Sequence, residues 1–166
     1  MSDPTGFAPH DHHACVSTAL AAAEAACAER GARLTPLRRR ALEILLESHK
    51  ALGAYDLLER LAAEGLGDKP PVAYRALNFL TEQGFAHRIE RLNAYVACAH
   101  PEAAEGHGAA FLICRDCGRV AEALSSEAPL ADDAAGAGFA VEDAVVEARG
   151  LCPQCRPAAT GPGPRP

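Results

Sequence analysis

The sequence predicts an α+β protein with a winged helix-turn-helix domain first and a small α/β domain with a four-cysteine zinc site second. Three observations predict this class. Three helical segments in succession precede a β-hairpin, and a β-β-α-β pattern follows them. Two Cys-x-x-Cys pairs also lie in the second part, "CRDC" and "CPQC".

Composition favours a soluble chain with thin cores. The 166 residues are 49% hydrophobic, but only 5% are aromatic and none is Trp, so a metal site would add stability that Leu, Ala and Val alone do not supply. No apolar run suits a membrane helix, and the Ala-rich stretch Ala19–Ala28 contains Glu24 and lacks the basic residues that precede a signal-peptide core. We therefore expect a cytoplasmic protein, whose seven cysteines are thiols or metal ligands rather than disulfides.

Charge is unevenly distributed along the chain. The net charge is -6, yet the segment from Arg30 to Arg91 holds 11 Lys and Arg against 8 Asp and Glu. A local basic surface is what a DNA-binding domain needs. The same small excess also fits an ordinary surface, so charge alone leaves DNA binding open.

The first elements are predicted from helix signals. Residues 1–14 are rich in Pro and His and are expected to be a flexible arm. Cys15–Arg30 favours a helix that ends at Gly31. Thr35 as N-cap and Pro36 at the first position then begin a second helix.

The next segments complete a winged helix. A third helix carries an apolar stripe of Ala54, Leu57, Leu58 and Leu61. A fourth begins near Pro71, ends at Gly84, buries Ala73, Ala76, Leu77 and Leu80, and leaves Arg75, Asn78 and Glu82 outside. A hairpin centred on Leu92-Asn93 follows. The fourth helix would then enter the major groove and the hairpin would be the wing, while the alternative is a plain helical bundle with surface arginines.

The chain changes character after Cys98. The predicted divisions are a winged-helix domain at 15–98, a hinge at 99–109, a second domain at 110–157 and a disordered tail at 158–166. Within the second domain, "AFLICRDCGRVAEAL" predicts two strands, Ser125–Ala137 a helix, and "FAVEDAVVEARGLC" a long strand.

Four cysteines in two knuckles predict a structural zinc site. Cys114 and Cys117 form one pair, Cys152 and Cys155 the other, and 34 residues separate the pairs. Four thiolates complete a tetrahedral zinc shell that is closed to substrate. The main rival is redox disulfide exchange.

A second cluster is predicted at the base of the wing. With the hairpin centred on Leu92-Asn93, His87 faces Cys98, and facing Cβ atoms lie about 5 Å apart. His107 in the hinge and Glu122 on a strand would complete a shell in which the thiolate favours zinc over iron or manganese. The alternative is that His87 is a surface residue, Cys98 a small core residue, and His107 and Glu122 solvated groups, and for each residue taken alone this alternative is favoured.

The ordered motifs "RLTPLR", "AYDLLERL", "KPPVAYRALNFLTEQGFAHRI", "AYVACAH", "FLICRDCGRV" and "EARGLCPQC" closely resemble the Fur family of metal-dependent repressors, in particular its zinc-uptake-regulator (Zur) branch. The resemblance covers about residues 15–156. It implies no enzyme activity but a homodimer, joined through the second domain, that represses zinc-acquisition genes when zinc is bound and acts on palindromic double-stranded DNA operators.

The resemblance also implies residue roles, with two Zn²⁺ per subunit. The structural zinc ligands are Cys114, Cys117, Cys152 and Cys155, and the regulatory ligands are His87, Cys98, His107 and Glu122. Tyr55 and Arg75 match residues that approach DNA bases. Tyr74, in the same motif, and Asn78, on the same helix face as Arg75, complete the DNA-binding set.

The chain departs from the family pattern in two places. Val72 stands where a phosphate-binding Thr is common, and only His107 stands where iron-sensing members carry several histidines. The second difference disfavours the iron-sensor alternative. Within the family, an iron or peroxide sensor is the runner-up. The roles of His10, His12 and His13 in the arm, and of Cys15, stay open, whereas Cys27 is expected to be core packing.

Overall fold

The computed structural model describes residues 6–7, 12–99, 108–125, 131–142 and 144–157. The helices are α1 His12–Arg30, α2 Pro36–Leu46, α3 Ala54–Ala63, α4 Pro70–Glu82 and α5 Ala131–Gly136. The strands are β1 Ala86–Ile89, β2 Ala94–Ala97, β3 Gly108–Cys114, β4 Val120–Ser125 and β5 Val145–Gly150. The α+β class, the helices with their hairpin, and the β-β-α-β order are confirmed.

The helical domain forms where the sequence carries caps and apolar stripes. Thr35 accepts a hydrogen bond from the backbone N–H of Arg38, and Pro36 is the first residue of α2. One continuous core joins α1 to α4, and Cys27 is buried in it as expected. Its innermost side chains include Ala41, Leu42, Ile44, Leu57, Leu61, Leu77 and Leu80.

Helix α4 has the two faces that its periodicity predicts. The four residues assigned to the inner face are all buried: Ala73, Ala76, Leu77 and Leu80. Arg75, Asn78 and Glu82 are exposed on the other side. Gly84, at φ +76°, follows the end of the helix, a backbone conformation that suits glycine. A polar helix face is therefore presented outward beside the wing.

The wing has a different register from the one predicted. His87 pairs with Val96 rather than with Cys98, and the N–H of Cys98 donates instead to the carbonyl of Phe85. The turn lies one residue earlier because Glu90–Leu92 form a 3₁₀ turn that closes at Asn93 in the left-handed conformation, φ 46°. Each residue of β1 therefore faces a residue of β2 that lies two positions earlier in the sequence than the predicted partner.

The second domain is a three-stranded sheet in the order β4-β3-β5. Strand β3 pairs antiparallel with β4 and parallel with β5, and α5 lies in the connection between β4 and β5. The helix was predicted over Ser125–Ala137; the structure describes it over Ala131–Gly136, and Ser125 instead pairs with Gly108 at the end of β4. The same pairing starts β3 inside the expected 99–109 hinge.

The wing packs directly on this sheet. Ile89 and Val96 form a core cluster with Phe111, Ile113 and Val120. Burial of that apolar surface couples the two domains through side-chain packing.

Polar contacts reinforce the same interface. Glu147 of β5 accepts hydrogen bonds from the backbone N–H groups of Glu90 at 2.6 Å and Arg91 at 3.0 Å. The backbone N–H of Val120 donates to the carbonyl of His49 at 2.7 Å. The wing and the end of α2 are thereby both attached to the second domain.

Two described parts of the predicted N-terminal arm, Phe7 and the start of α1, are not free of the rest of the chain. Helix α1 begins at His12 rather than Cys15, and Phe7 is buried in a cluster with Cys114, Ala121 and Cys152. The Gln154 side-chain amide donates to the Phe7 carbonyl at 2.6 Å. The expectation of a free arm is wrong at these residues, while His10 and the predicted 158–166 tail lie outside the described residues.

Candidate metal centres and nucleic-acid interface

The two Cys-x-x-Cys knuckles meet in space. The Sγ atoms of the four cysteines all lie within 4.8 Å of one another. Cys117 and Cys152, one from each knuckle, have their sulfurs 3.7 Å apart. With Zn–S bonds of about 2.3 Å, a tetrahedral site places its sulfurs about 3.8 Å apart. The donor set and its spacing therefore fit a structural zinc ion.

Local hydrogen bonds prepare one of these thiols for metal binding. Backbone N–H groups of Cys152 and Cys117 lower the pKa of Cys114 to about 6, because they stabilise the thiolate. The Asp116 carboxylate, through a hydrogen bond to the side chain, raises the pKa of Cys155. Zinc requires thiolates, so its positive charge would have to release the Cys155 proton.

A second cluster lies at the junction of wing and sheet. Ligand atoms of His87, Cys98 and Glu122 lie within 4.8 Å of one another. The Nε2 atom of His87 is 3.3 Å from Oε1 of Glu122, and the backbone N–H of Ala99 donates to Oε2 at 2.9 Å. Glu122 is only 5% exposed and Cys98 only 4%. Imidazole, thiolate and carboxylate form a zinc donor set that lacks one ligand.

The changed register does not break this cluster, because strand side chains alternate with a period of two. A shift of two residues turns a directly facing pair into a diagonal pair on the same face. His87 and Cys98 therefore still project together. The fourth predicted ligand, His107, lies outside the described residues.

Two contacts at this cluster were missed by the sequence reasoning. The backbone N–H of Ala99 orients the Glu122 carboxylate, and the Phe111 ring lies against the His87 imidazole with centroids 5.3 Å apart. Phe111 pairs with Glu122 across the sheet. Only the strand pairing places these residues beside the cluster, so no local sequence signal marks them.

The four predicted DNA-contacting residues lie on the exposed parts of α3 and α4. Tyr55 is 67% exposed and Tyr74 is also an exposed large side chain. Arg75 and Asn78 are exposed on α4. Exposed tyrosines on the same two helices as an exposed arginine are available for a binding face.

Ion pairs distinguish the arginines of the basic segment. Arg39 and Arg40 of α2 pair with Glu24, Glu43, Glu47 and Glu64, and Arg60 pairs with Glu47. Among the residues that the structure describes, Arg75 has no such carboxylate partner. Arg75, the basic residue of α4, therefore keeps an uncompensated positive charge, as do other basic residues of the segment such as Arg33 and Lys69.

The fold and the two clusters define a class of protein. It is a metal-binding winged-helix protein, in which a winged-helix domain packs on a small sheet and two groups of side chains can ligate metal. The pattern of the Ferric uptake regulator family matches residues 29–148. The chain belongs to the Ferric uptake regulator family.

Individual relatives give the closer comparison. The "Zinc uptake regulation protein" of Escherichia coli (strain K12) is 44% identical over 138 residues, which is 82% of this chain and 80% of the relative. A solved structure described as a zinc uptake regulator complexed with zinc and DNA matches with a TM-score of 0.79 and 42% identity, over 84% of this chain and 94% of that one. The crystal structure of holo XcZur matches with a TM-score of 0.75 and 39% identity, over 84% of this chain and 97% of that one.

No helix among the described residues is long and apolar enough to span a membrane.

Proposed function

We propose that this chain is a zinc-responsive DNA-binding repressor of zinc uptake genes that acts as a zinc-loaded homodimer on palindromic operators. The observation that carries the proposal is the cluster of His87, Cys98 and Glu122, because two of its members come from the end of the wing and one from the sheet. The similarity to proteins whose names specify zinc uptake regulation supports the same reading.

Electrostatics explains how a cation at this cluster would control the wing. The Cys98 thiolate and the Glu122 carboxylate lie within 4.8 Å and are both buried, so they repel each other when both are charged. A divalent cation supplies the compensating charge there. His87 and Cys98 would then hold the wing, Glu122 would hold the sheet, and His107 would add the fourth ligand from the hinge.

Zinc bound between the wing and the sheet would favour one orientation of the two domains. The wing contacts the sheet through apolar packing and the bonds from Glu147, and the metal ligands add a link that depends on zinc. With low zinc, the link through the metal is lost, and the DNA-competent orientation becomes a minor state. Repression is then relieved when zinc is scarce.

The four-cysteine site has a separate role. Cys114, Cys117, Cys152 and Cys155 hold the end of β3 against the segment after β5. A structural zinc ion there contributes to folding on the order of 10 kcal/mol. This closed shell stabilises the sheet that carries Glu122, and its closure disfavours a redox role for the pairs.

DNA recognition is assigned to α3 and α4. Arg75 is suited to the two purine acceptors of guanine in the major groove, with Tyr55, Tyr74 and Asn78 around it. Val72 supplies no hydroxyl for a phosphate. A repressor of this kind works where the chromosome is, so we assign it to the cytoplasm.

The homodimer is assigned to the outer side of the second domain. Strand β5 is an edge strand, and it and the segment before it expose three large apolar side chains, Phe139, Val141 and Val145. An exposed edge with apolar side chains is suited to association with a second copy. Two joined subunits would place two α4 helices on the two halves of a palindrome.

The test is a gel-shift assay with the full chain and DNA from promoters of the organism's zinc importer genes, with zinc and with a chelator. We expect a shift only with zinc, with strong dependence on salt. Ferrous iron or manganese in place of zinc serves as the comparison. A shift that iron supports better than zinc, or no zinc-dependent shift at all, would count against the proposal.

A further inference from the structure

A cavity of about 310 Å³ connects the regulatory cluster to the surface. It lies between α1, the end of α2, β2 and β4. Its lining includes the buried Cys98 and Glu122 and the exposed Ala14, Thr18 and Ser48. The cavity therefore reaches from solvent to two of the regulatory ligands.

The ligands themselves have little contact with bulk water. Cys98 and Glu122 are nearly fully buried, and the His87 side chain is 18% exposed and lies against the Phe111 ring. A hydrated cation needs a path to such ligands, and loses its water most readily where protein donors replace it. Among the described residues, the cavity offers that path.

Two further residues that line the same cavity carry side chains of metal-ligating type. Cys15 lies in α1 and is half-buried, and His49 follows the end of α2. The carbonyl of His49 accepts a hydrogen bond from Val120, two residues before Glu122, so this residue is fixed next to the strand that carries the ligand. A thiol and an imidazole on the path are the donors that zinc prefers.

We propose that this cavity is the access channel of the regulatory zinc ion, and that Cys15 and His49 are transient ligands that pass zinc to and from His87, Cys98 and Glu122. The inference rests on the proposed regulatory site. Cys15 releases its proton to solvent when it binds the cation and regains one when the cation moves on. Exchange then proceeds stepwise between protein ligands rather than through a bare ion.

The test measures zinc transfer from the fully loaded protein to excess 4-(2-pyridylazo)resorcinol, together with zinc affinity by competition at equilibrium. A Cys98→Ser protein identifies the regulatory phase, which it should lack. If Cys98→Ser retains every phase, the regulatory site itself is misassigned, and this outcome is separate from the outcomes for Cys15.

The informative variant is Cys15→Ser combined with His49→Ala. We expect zinc uptake and release to slow together by on the order of tenfold, with unchanged affinity, because only the barrier is altered. Cys15→His, which retains a ligand, should restore much of the rate. Thr18→Ala, which changes the lining without removing a ligand, should not slow exchange.

Three results would overturn the proposal. Wild-type rates in the double variant would show that the two residues take no part. Equal slowing in Thr18→Ala would show a packing effect. A loss of affinity in Cys15→Ser would make Cys15 a resident ligand rather than a transient one.

Discussion

The Nε2 atom of His87 lies 3.3 Å from Oε1 of Glu122, so a side chain of the wing meets a buried carboxylate of the second domain. With Cys98 beside them, this contact is where the two domains share polar groups that can ligate a metal. The adjoining apolar cluster and the Glu147 bonds do not depend on metal. The regulatory cluster is therefore the part of the interface that zinc can change.

Removing a regulatory ligand should uncouple zinc from DNA. In Cys98→Ser, zinc should no longer increase operator affinity, whereas in the wild type we expect an increase of roughly 5- to 150-fold, the usual range of coupling between two sites. Fluorescence anisotropy with labelled operator DNA measures this ratio, and the variant should stay dimeric. Arg88→Ala, a change on the exposed side of the wing, should retain the zinc response. A normal zinc response in Cys98→Ser would show that the ligand is misassigned.

Removing a structural ligand should have a different effect. Cys155→Ser should unfold or loosen the second domain, because a structural zinc contributes to folding on the order of 10 kcal/mol. Circular dichroism melting and zinc stoichiometry measure the loss. Cys15→Ser is the matched control, since Cys15 lies outside the cluster, and it should keep the structural zinc ion. A stable, dimeric Cys155→Ser protein with wild-type zinc content contradicts the assignment.

Arg75 should contribute to operator specificity. Arg75→Ala should weaken operator binding by about 1–3 kcal/mol, the usual value of a bidentate base contact, and relax base preference at one position in each half-site. Binding titrations against operators with single base changes measure both effects. Arg115→Ala removes an exposed arginine of the second domain and should leave the preference unchanged. Equal loss of affinity on all sequences would make Arg75 a phosphate contact instead.

Phe7 should stabilise the folded chain although it lies in the N-terminal segment. Phe7→Ala should lower the free energy of unfolding by about 3 kcal/mol, because the ring is buried against Cys114, Ala121 and Cys152. Urea unfolding of the zinc-loaded protein measures the change. Tyr55→Ala removes an exposed ring and should leave stability nearly unchanged while it weakens DNA binding. Equal stability of Phe7→Ala and the wild type would contradict the packing of this segment.

The exposed apolar side chains near β5 should support the dimer. Val145→Asp should shift the protein toward monomers, because a charge would be desolvated where two subunits meet. Sedimentation equilibrium measures the dissociation constant. Leu92→Asp is the control, because it places the same charge on another exposed apolar residue, at the tip of the wing. This variant should leave the dimer intact. An unchanged dimer in Val145→Asp would place the interface on another surface.

Local patterns were sufficient for much of the fold. Helices α2 to α4 were predicted from the Thr35 cap and from apolar stripes at helical spacing, since burial in a small domain follows that periodicity. The sequence also predicted that the two Cys-x-x-Cys pairs lie close together in space, because four thiolates in two such pairs bind one zinc ion. Alternation along β4 correctly placed Glu122 on a strand.

The sequence by itself thus determined helices α2 to α4, the order of the elements and the residue types of both clusters. Only the tertiary structure decided the register of the wing, the position of Phe7 and the burial of Glu122. A hairpin register depends on whether Asn93 adopts a left-handed conformation after a 3₁₀ turn, and several turns of similar energy satisfy the same sequence. Contacts between residues far apart in sequence, such as Phe7 with Cys152, form by packing of completed elements, which no local pattern specifies.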